Sequence, residues 1–178
     1  VRVHFPITNP EINPDTIIRI TEGPLKADIA LSFTTNLNVV YMAVMGVNSL
    51  NELKQIFKDI KPNDIKIVQN FLDMDKLTNI NVLKGSKNLE KIILQNGHKY
   101  KMGYWDVKSI KTVYYKQCKI IKQLGKEVEP IKNNTPINEF IFRIQKNTYL
   151  FNKYGIPFEK EWINDNSKGI DDFLKYIN

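Results

Sequence analysis

Ile17-Ile18-Arg19-Ile20-Thr21-Glu22-Gly23-Pro24 is the stretch whose reading decides the fold. Thr16–Thr21 is rich in β-branched residues and reads as a central strand. Gly23 lets the chain turn sharply. Pro24 sits where a helix needs no backbone N–H, so Pro24–Phe33 reads as a helix. The same strand-then-helix phrase recurs downstream. Val39–Met45 reads as a second strand closed by Gly46. Ser49-Leu50-Asn51-Glu52 fits a capping box, with a helix to about Lys58. Pro62-Asn63-Asp64 reads as a turn and Ile65–Leu72 as the third strand. Asn81–Asn96 has helical spacing and is stopped by Gly97. Lys99–Trp105 reads as a fourth strand. This alternation predicts an α/β fold, with a mostly parallel sheet of four to five strands and helices on both faces.

The remainder is less regular. Over Val107–Leu124 the residues Ile110, Val113, Tyr114, Ile121 and Leu124 share one helical face, and Lys108, Lys111, Tyr115, Lys119 and Lys122 share the opposite one. This predicts an amphipathic helix with a basic stripe, ended by Gly125. Pro130–Pro136 reads as a linker. Thr135 is the expected cap of a helix whose buried face is Ile137, Phe140, Ile141, Ile144 and Phe151, and Gly155 ends it. Phe158–Ile163 reads as a fifth strand, Asp171–Ile177 as a closing helix and Val1–Phe5 as a candidate edge strand. A helix, a glycine and a strand ending in Trp occur twice, around Gly97 and Trp105 and around Gly155 and Trp162. Ordinary helix-strand units produce such an echo by chance.

With 178 residues, 42% apolar, the chain suffices for one domain, 1–178, with a good core. No apolar run approaches the ~20 residues of a membrane span. The lone Cys118 fits a reducing cytoplasm. A start at Val1 rather than Met suggests a domain cut from a longer protein. One Cys and two His exclude a structural zinc centre, and no Gly-rich dinucleotide or Walker-type phosphate loop occurs. Of the net charge of +7, most lies between Lys99 and Lys132, where nine lysines face three acids. Two readings stand open: an anionic partner, with nucleic acid the leading one, or a solvated lysine surface in a chain rich in Lys, Asn and Ile.

The chemistry rests on acids at strand ends. Glu22 follows the first strand, and Asp73-Met74-Asp75 follows the third. A parallel sheet brings both ends to one edge. Alternation of strand side chains would point Asp73 and Asp75 the same way. Clustered carboxylates repel one another unless a cation shares the site. Hard divalent ions, Mg2+ or Mn2+, favour such oxygen donors, so the pattern suggests metal-dependent chemistry on phosphates. Plainer readings are a surface Glu at a strand end and a chance D-x-D. Lys168-Gly169-Ile170-Asp171-Asp172-Phe173-Leu174 reads as a helix start, with acids facing the helix dipole, or as a segment bringing Lys168 and Asp171 to the same edge. His4 and His98 suit surface or packing roles. Tyr114 suits the core, and Tyr115 is placed to stack on a base.

The order Glu22-Gly23, then Asp73-Met74-Asp75, then Lys168-Gly169-Ile170-Asp171-Asp172 resembles the Toprim domain shared by topoisomerases, bacterial primases and several nucleases. It looks most similar to the Toprim-like branch found in replication proteins of phages, plasmids and integrative elements, which also has a Trp-ended strand before its K-G-x-D-D segment. The resemblance runs from about Ile17 to the C-terminus. It implies Glu22 as general acid/base, Asp73 and Asp75 as Mg2+ (or Mn2+) ligands, and Lys168 and Asp171 as accessory groups. It also implies DNA, single-stranded or primed, as partner and a replicative helicase in the parent protein. The reaction implied is primase-associated nucleotidyl transfer or nuclease cleavage, or else metal and nucleic-acid binding without catalysis. Two departures stand out. Lys26 occupies a position where primases usually have an acid, which suits it to bind a phosphate or balance charge. Residues 107–136, carrying the basic helix and its nucleic-acid-facing Lys108, Lys111, Tyr115, Lys119 and Lys122, read as an insertion.

Overall fold

Four strands pair in the order β2-β1-β3-β4, all parallel, in a computed structural model that describes residues 3–60, 64–158 and 162–178. They are β1 (Ile17–Glu22), β2 (Val39–Val44), β3 (Ile67–Asn70) and β4 (Lys99–Met102). The helices are α1 (Pro24–Ser32), α2 (Leu53–Ile60), α3 (Ile80–Gln95), α4 (Val107–Gln123), α5 (Ile137–Lys153) and α6 (Ile170–Ile177). The α/β class and the parallel sheet expected from the strand-helix alternation are therefore present.

The sheet is covered on both faces along β2 and β1, whose residues alternate between two apolar clusters, while Lys99 and Lys101 of β4 are exposed. In β2, Val39, Tyr41 and Ala43 enter one cluster, and Val40, Met42 and Val44 enter the other. The first cluster is completed by Ala27 and Ala30 of α1, by Ile110, Val113 and Tyr114 of α4, and by Phe140, Ile141 and Ile144 of α5. The second is completed by Leu53 and Phe57 of α2 and by Leu89, Ile92 and Ile93 of α3. Thus α4 belongs to the same core as β2 and α1. Its expected apolar face is buried except at the end, where Leu124 is exposed.

The connections run in opposite directions from β1. The link through α1 leads to β2 on one side, while β3 and β4 lie on the other, with α2 and α3 across the opposite face. The strand order therefore switches between β1 and β3. Open α/β sheets form their ligand crevice at the carboxyl ends of the strands at such a switch.

Several local expectations are corrected. Glu22 is the last residue of β1 rather than the residue after it. The third strand stops at Asn70, so Asp73 and Asp75 are not on a strand. Asp73 precedes a 3-10 turn, Met74–Leu77, and Asp75 lies inside it. They reach Lys26 and Lys168 from that turn, not by strand alternation. The fourth strand ends at Met102, three residues short of Trp105. Ser49 lies within a 3-10 turn, Val47–Glu52, that starts after Gly46, so the capping box does not form. The last helix-start expectation fails too: α5 is preceded by Pro136, with no side-chain cap bond, so Thr135 is not its cap. Of the expected fifth strand, Phe158, Trp162 and Ile163 are not in strands, and residues 159–161 lie outside the described residues, as do 62 and 63 of the expected turn. Of the candidate edge strand, residues 1 and 2 lie outside them as well. His4 makes a single antiparallel bridge to Ala43.

Candidate functional site

Four segments meet at the carboxyl edge between β1 and β3. The end of β1 brings Glu22, and the first turn of α1 brings Lys26. The turn after β3 brings Asp73 and Asp75, and the start of α6 brings Lys168 and Asp171. Lys26 Nζ donates to Asp73 Oδ2 at 2.5 Å, and Lys168 Nζ lies 3.9 Å from Asp75 Oδ2. Burial raises the pKa of Glu22, and the charge of Asp73 adds to this, while Lys26 and Lys168 pull the other way. Burial pushes the carboxyl of Asp75 up to about 6 against the pull of Lys168, helped by Asp73 and Glu22. Asp171 is raised by burial and then by Asp172. Burial opposes the charge on Lys26, but the Asp73 bond and the charges of Asp73, Asp171 and Glu22 outweigh it and raise its pKa. The acids expected to converge therefore act on one another in one electrostatic site, and two lysines are interleaved with them.

The last of these segments is held by contacts that no motif announced. The backbone N–H of Met74, between the two aspartates, donates to the carbonyl of Lys168 at 2.8 Å. Ser167, next to it, is fastened from both tryptophans. Trp105 Nε1 donates to the Ser167 carbonyl at 2.5 Å, and Trp162 Nε1 to its hydroxyl at 3.2 Å. The Ser167 hydroxyl in turn donates to Asp106, the residue that caps α4 through the Ser109 N–H. Asp106 has φ of 55°, a left-handed conformation that Asp tolerates better than most residues. Both Trp-containing units thus serve the same Ser167–Lys168 corner. Gly169 lets the carboxylates come close: a Cβ on it would lie 2.5 Å from Asp171 Oδ1 and 3.3 Å from Asp73 Oδ1, so those side chains would have to shift.

Beneath the rim lies Lys76, fully buried and overlooked by sequence reading because a lysine in a polar turn looks like surface. Its Nζ donates to the carbonyls of Asn70 and Leu72, each at 3.0 Å, and of Gly103 at 2.6 Å. It lies 5.1 Å from the centre of the Trp105 ring. Gly103 reaches this point because it has no side chain. A Cβ there would stand 2.2 Å from the Phe71 ring and 2.6 Å from the Asn70 carbonyl. From the other side, Thr148 of α5 donates to the Leu77 carbonyl at 2.7 Å, fixing the end of the turn.

The donor set suits a hard cation in kind: it is all carboxylate, and Asp171 Oδ1 is buried without a hydrogen-bond partner among the described residues. In the arrangement adopted, lysines neutralise Asp73 and Asp75. Among the described residues, no group of three or more Asp, Glu, His or Cys stands ready to enclose a metal ion.

The basic stripe of α4 is partly solvent-facing. Lys108, Tyr115, Lys119 and Lys122 are exposed. Lys111 is half-buried, 5.3 Å from the centre of the Phe140 ring, and donates weakly to the Asn133 carbonyl at 3.4 Å. Tyr115 packs edge-on to Tyr114 and Phe140 while its hydroxyl faces Asn133, so its ring is only partly available for a base. His98 is buried against Phe57, and His4 meets Asp28 on the surface, both away from the acids.

The fold and rim define an α/β protein with a mixed acid-lysine site at its switch point. No family model, curated protein or solved structure matches the chain. No helix among the described residues is long and apolar enough to cross a membrane.

Burial of the Asp75 carboxyl is destabilising once it ionises, and this can be measured without any substrate. A carboxyl whose folded pKa lies above its unfolded value weakens the native state once ionised. For Asp75 the cost is absent below its ordinary value of 3.8 and complete above about 6. It amounts to about 3 kcal/mol. Asp75→Asn is therefore expected to raise the melting temperature at pH 8 in EDTA and to leave it nearly unchanged at pH 4. Equal or lower stability at pH 8 contradicts the electrostatic account.

Proposed function

We propose that this domain carries out Mg2+- or Mn2+-dependent chemistry on DNA phosphodiesters, as the resemblance to Toprim domains of mobile-element replication proteins implies. The observation that supports it most is the meeting of Glu22, Asp73, Asp75 and Asp171 with Lys26 and Lys168 at the switch point of a parallel sheet. Glu22, Asp73 and Asp75 would hold the cation. When bound, it supplies Lewis-acid polarisation of a phosphoryl oxygen. Glu22, with its raised pKa, is suited to hold or move a proton at the attacking or leaving oxygen. Lys26 exchanges Asp73, and Lys168 exchanges Asp75, for a substrate phosphate oxygen. Single-stranded or primed DNA is the substrate, within a longer cytoplasmic replication protein that carries a helicase. Mg2+-dependent nuclease and primer-extension assays on the wild type and Glu22→Gln test this reading.

The alternative is a non-catalytic metal- and nucleic-acid-binding module. DNA binding with no turnover in either protein selects that alternative.

In both readings α4 contacts the phosphate backbone. Its first turn adjoins the rim through Asp106, and it presents Lys108 and Lys122 to solvent. Lys108→Glu with Lys122→Glu is expected to reduce the slope of log affinity against log salt by about 2. Fluorescence anisotropy on a labelled single strand measures it. An unchanged slope returns the stripe to an ordinary solvated face.

A further inference from the structure

Arg19 is out of place in β1. It stands between Ile18 and Ile20 in the middle of a strand that pairs on both sides. Strands of a parallel sheet covered on both faces are near-continuous apolar runs. The cover, however, is incomplete beside it. Across β3 and β4, α3 packs on the face of Val68 and Tyr100, and no other described helix packs along these two strands. The opposite face carries Ile67, Gln69, Lys99 and Lys101. Ile67 and Gln69 are half-buried there, and both lysines are exposed.

The strand register lines up the polar groups of this face. Arg19 pairs with Gln69, and Gln69 with Lys101, so the three form one row across β1, β3 and β4. Ile17, Ile67 and Lys99 form the neighbouring row. Arg19 is itself half-buried and held at two points. Its Nε donates to Gln69 Oε1, and its Nη1 donates to the hydroxyl of the fully buried Tyr41, each at 2.9 Å. Its guanidinium carbon lies 4.5 Å from the centre of the Phe71 ring. Among the described residues no carboxylate pairs with Arg19, Lys99 or Lys101. A half-buried guanidinium without a counter-ion carries a desolvation cost that a bound anion offsets. Its planar fork suits the oxygens of a phosphate.

The spacing of the cations favours a chain of phosphates over a single one. Lys99 and Lys101 point the same way and stand two residues apart, about 6.6 Å along the strand. Successive phosphates of an extended single strand are separated by a similar distance.

We propose that the open face of β3 and β4 binds the phosphodiester backbone of a single nucleic-acid strand, with one phosphate between Lys101 and Arg19 and the next on Lys99. The choice of nucleic acid rests on the phosphodiester reading above, whereas the uncovered face and its unpaired cations do not.

Fluorescence anisotropy of a labelled oligothymidylate with the 178-residue chain in EDTA tests this apart from any metal chemistry. Lys99→Glu with Lys101→Glu changes two exposed side chains and keeps the fold. The pair is expected to weaken binding about tenfold at low salt and to reduce the slope of log affinity against log salt by about 1–2. Arg19→Gln is expected to weaken binding about tenfold, the loss of one charge-assisted contact. If that variant does not fold, the exposed lysine pair decides. The oligothymidylate is also expected to shift the amide signals of Gln69 and Lys101 and the Nε signal of Arg19.

Unchanged affinity and slope in the lysine pair overturn the proposal. Binding lost only in Lys108→Glu with Lys122→Glu assigns the strand to α4 and overturns it too. Thymidine monophosphate binding as tightly as oligothymidylate overturns the chain of phosphates, and hexaglutamate doing so makes the face a dock for acidic peptides instead. Binding with the expected variant pattern, together with no Mg2+-dependent turnover in the wild type, supports this face while the catalytic reading of the rim fails.

Discussion

Lys76→Met is expected to lower the free energy of unfolding by about 3–5 kcal/mol, read from urea midpoints. Met fills much of the lysine volume, so cavity formation is a minor part of the effect. The larger part is the loss of the donor to the buried carbonyls of Leu72 and Gly103, since the Asn70 carbonyl keeps the N–H of Gly103. Each buried acceptor left without a donor costs about 1–3 kcal/mol. Burial of the ammonium offsets some of this in the wild type, because it pushes the Lys76 pKa down to about 7. The sign follows from proton counts. Between about pH 7 and its ordinary value of 10.5 the folded chain binds fewer protons here than the unfolded chain. Wild-type stability therefore gains with pH across that window, and the Met variant lacks that gain. The gap between the two proteins should widen from pH 7 toward pH 10. A Lys76→Met protein as stable as the wild type at both pH values contradicts the carbonyl account.

Glu22→Gln is expected to reduce Mg2+-dependent turnover by about 10²–10⁴-fold, with its melting temperature held or slightly raised. The two outcomes belong together. Gln keeps the size of the side chain at the end of β1 and removes a charge that burial and Asp73 both oppose. It cannot carry the proton or offer an anionic ligand. A loss of turnover with a matching loss of stability would point to local unfolding instead. Retained turnover in a stable Glu22→Gln protein would remove the glutamate from the chemistry.

The sheet was legible because β1, β2 and β3 carry β-branched and apolar residues suited to a sheet covered on both faces. The positions of Glu22, Asp73, Asp75 and Asp171 were legible because each sits beside a strand end or helix start with clear punctuation. The route by which they meet was not. Asp73 and Asp75 are carried by a four-residue 3-10 turn and the residue before it rather than by a strand, and the stability of that turn depends on Lys76 and Gly103, which lie 27 residues apart in the chain. A buried lysine has no local signature, since its partners are backbone carbonyls present in every sequence. The lysine pairing of the acids was equally hidden: Lys26 and Asp73 are 47 residues apart, and only the packing of α1 beside the switch point joins them. The two tryptophans, whose helix-strand units echo one another by chance, are two sides of one clamp on Ser167.

The outer margin of β2 has a further consequence for how these molecules behave in a crowd. His4 exchanges both backbone bonds with Ala43, and the side-chain amide of Asn9 pairs with both the N–H and the carbonyl of Tyr41. An arriving strand finds those groups already taken. At the far margin, β4 offers Lys99 and Lys101 outward, and a neighbour aligning there would confront like charge. Neighbouring copies are therefore discouraged from zipping sheet to sheet, even though β2 alone is apolar enough to seed a fibril.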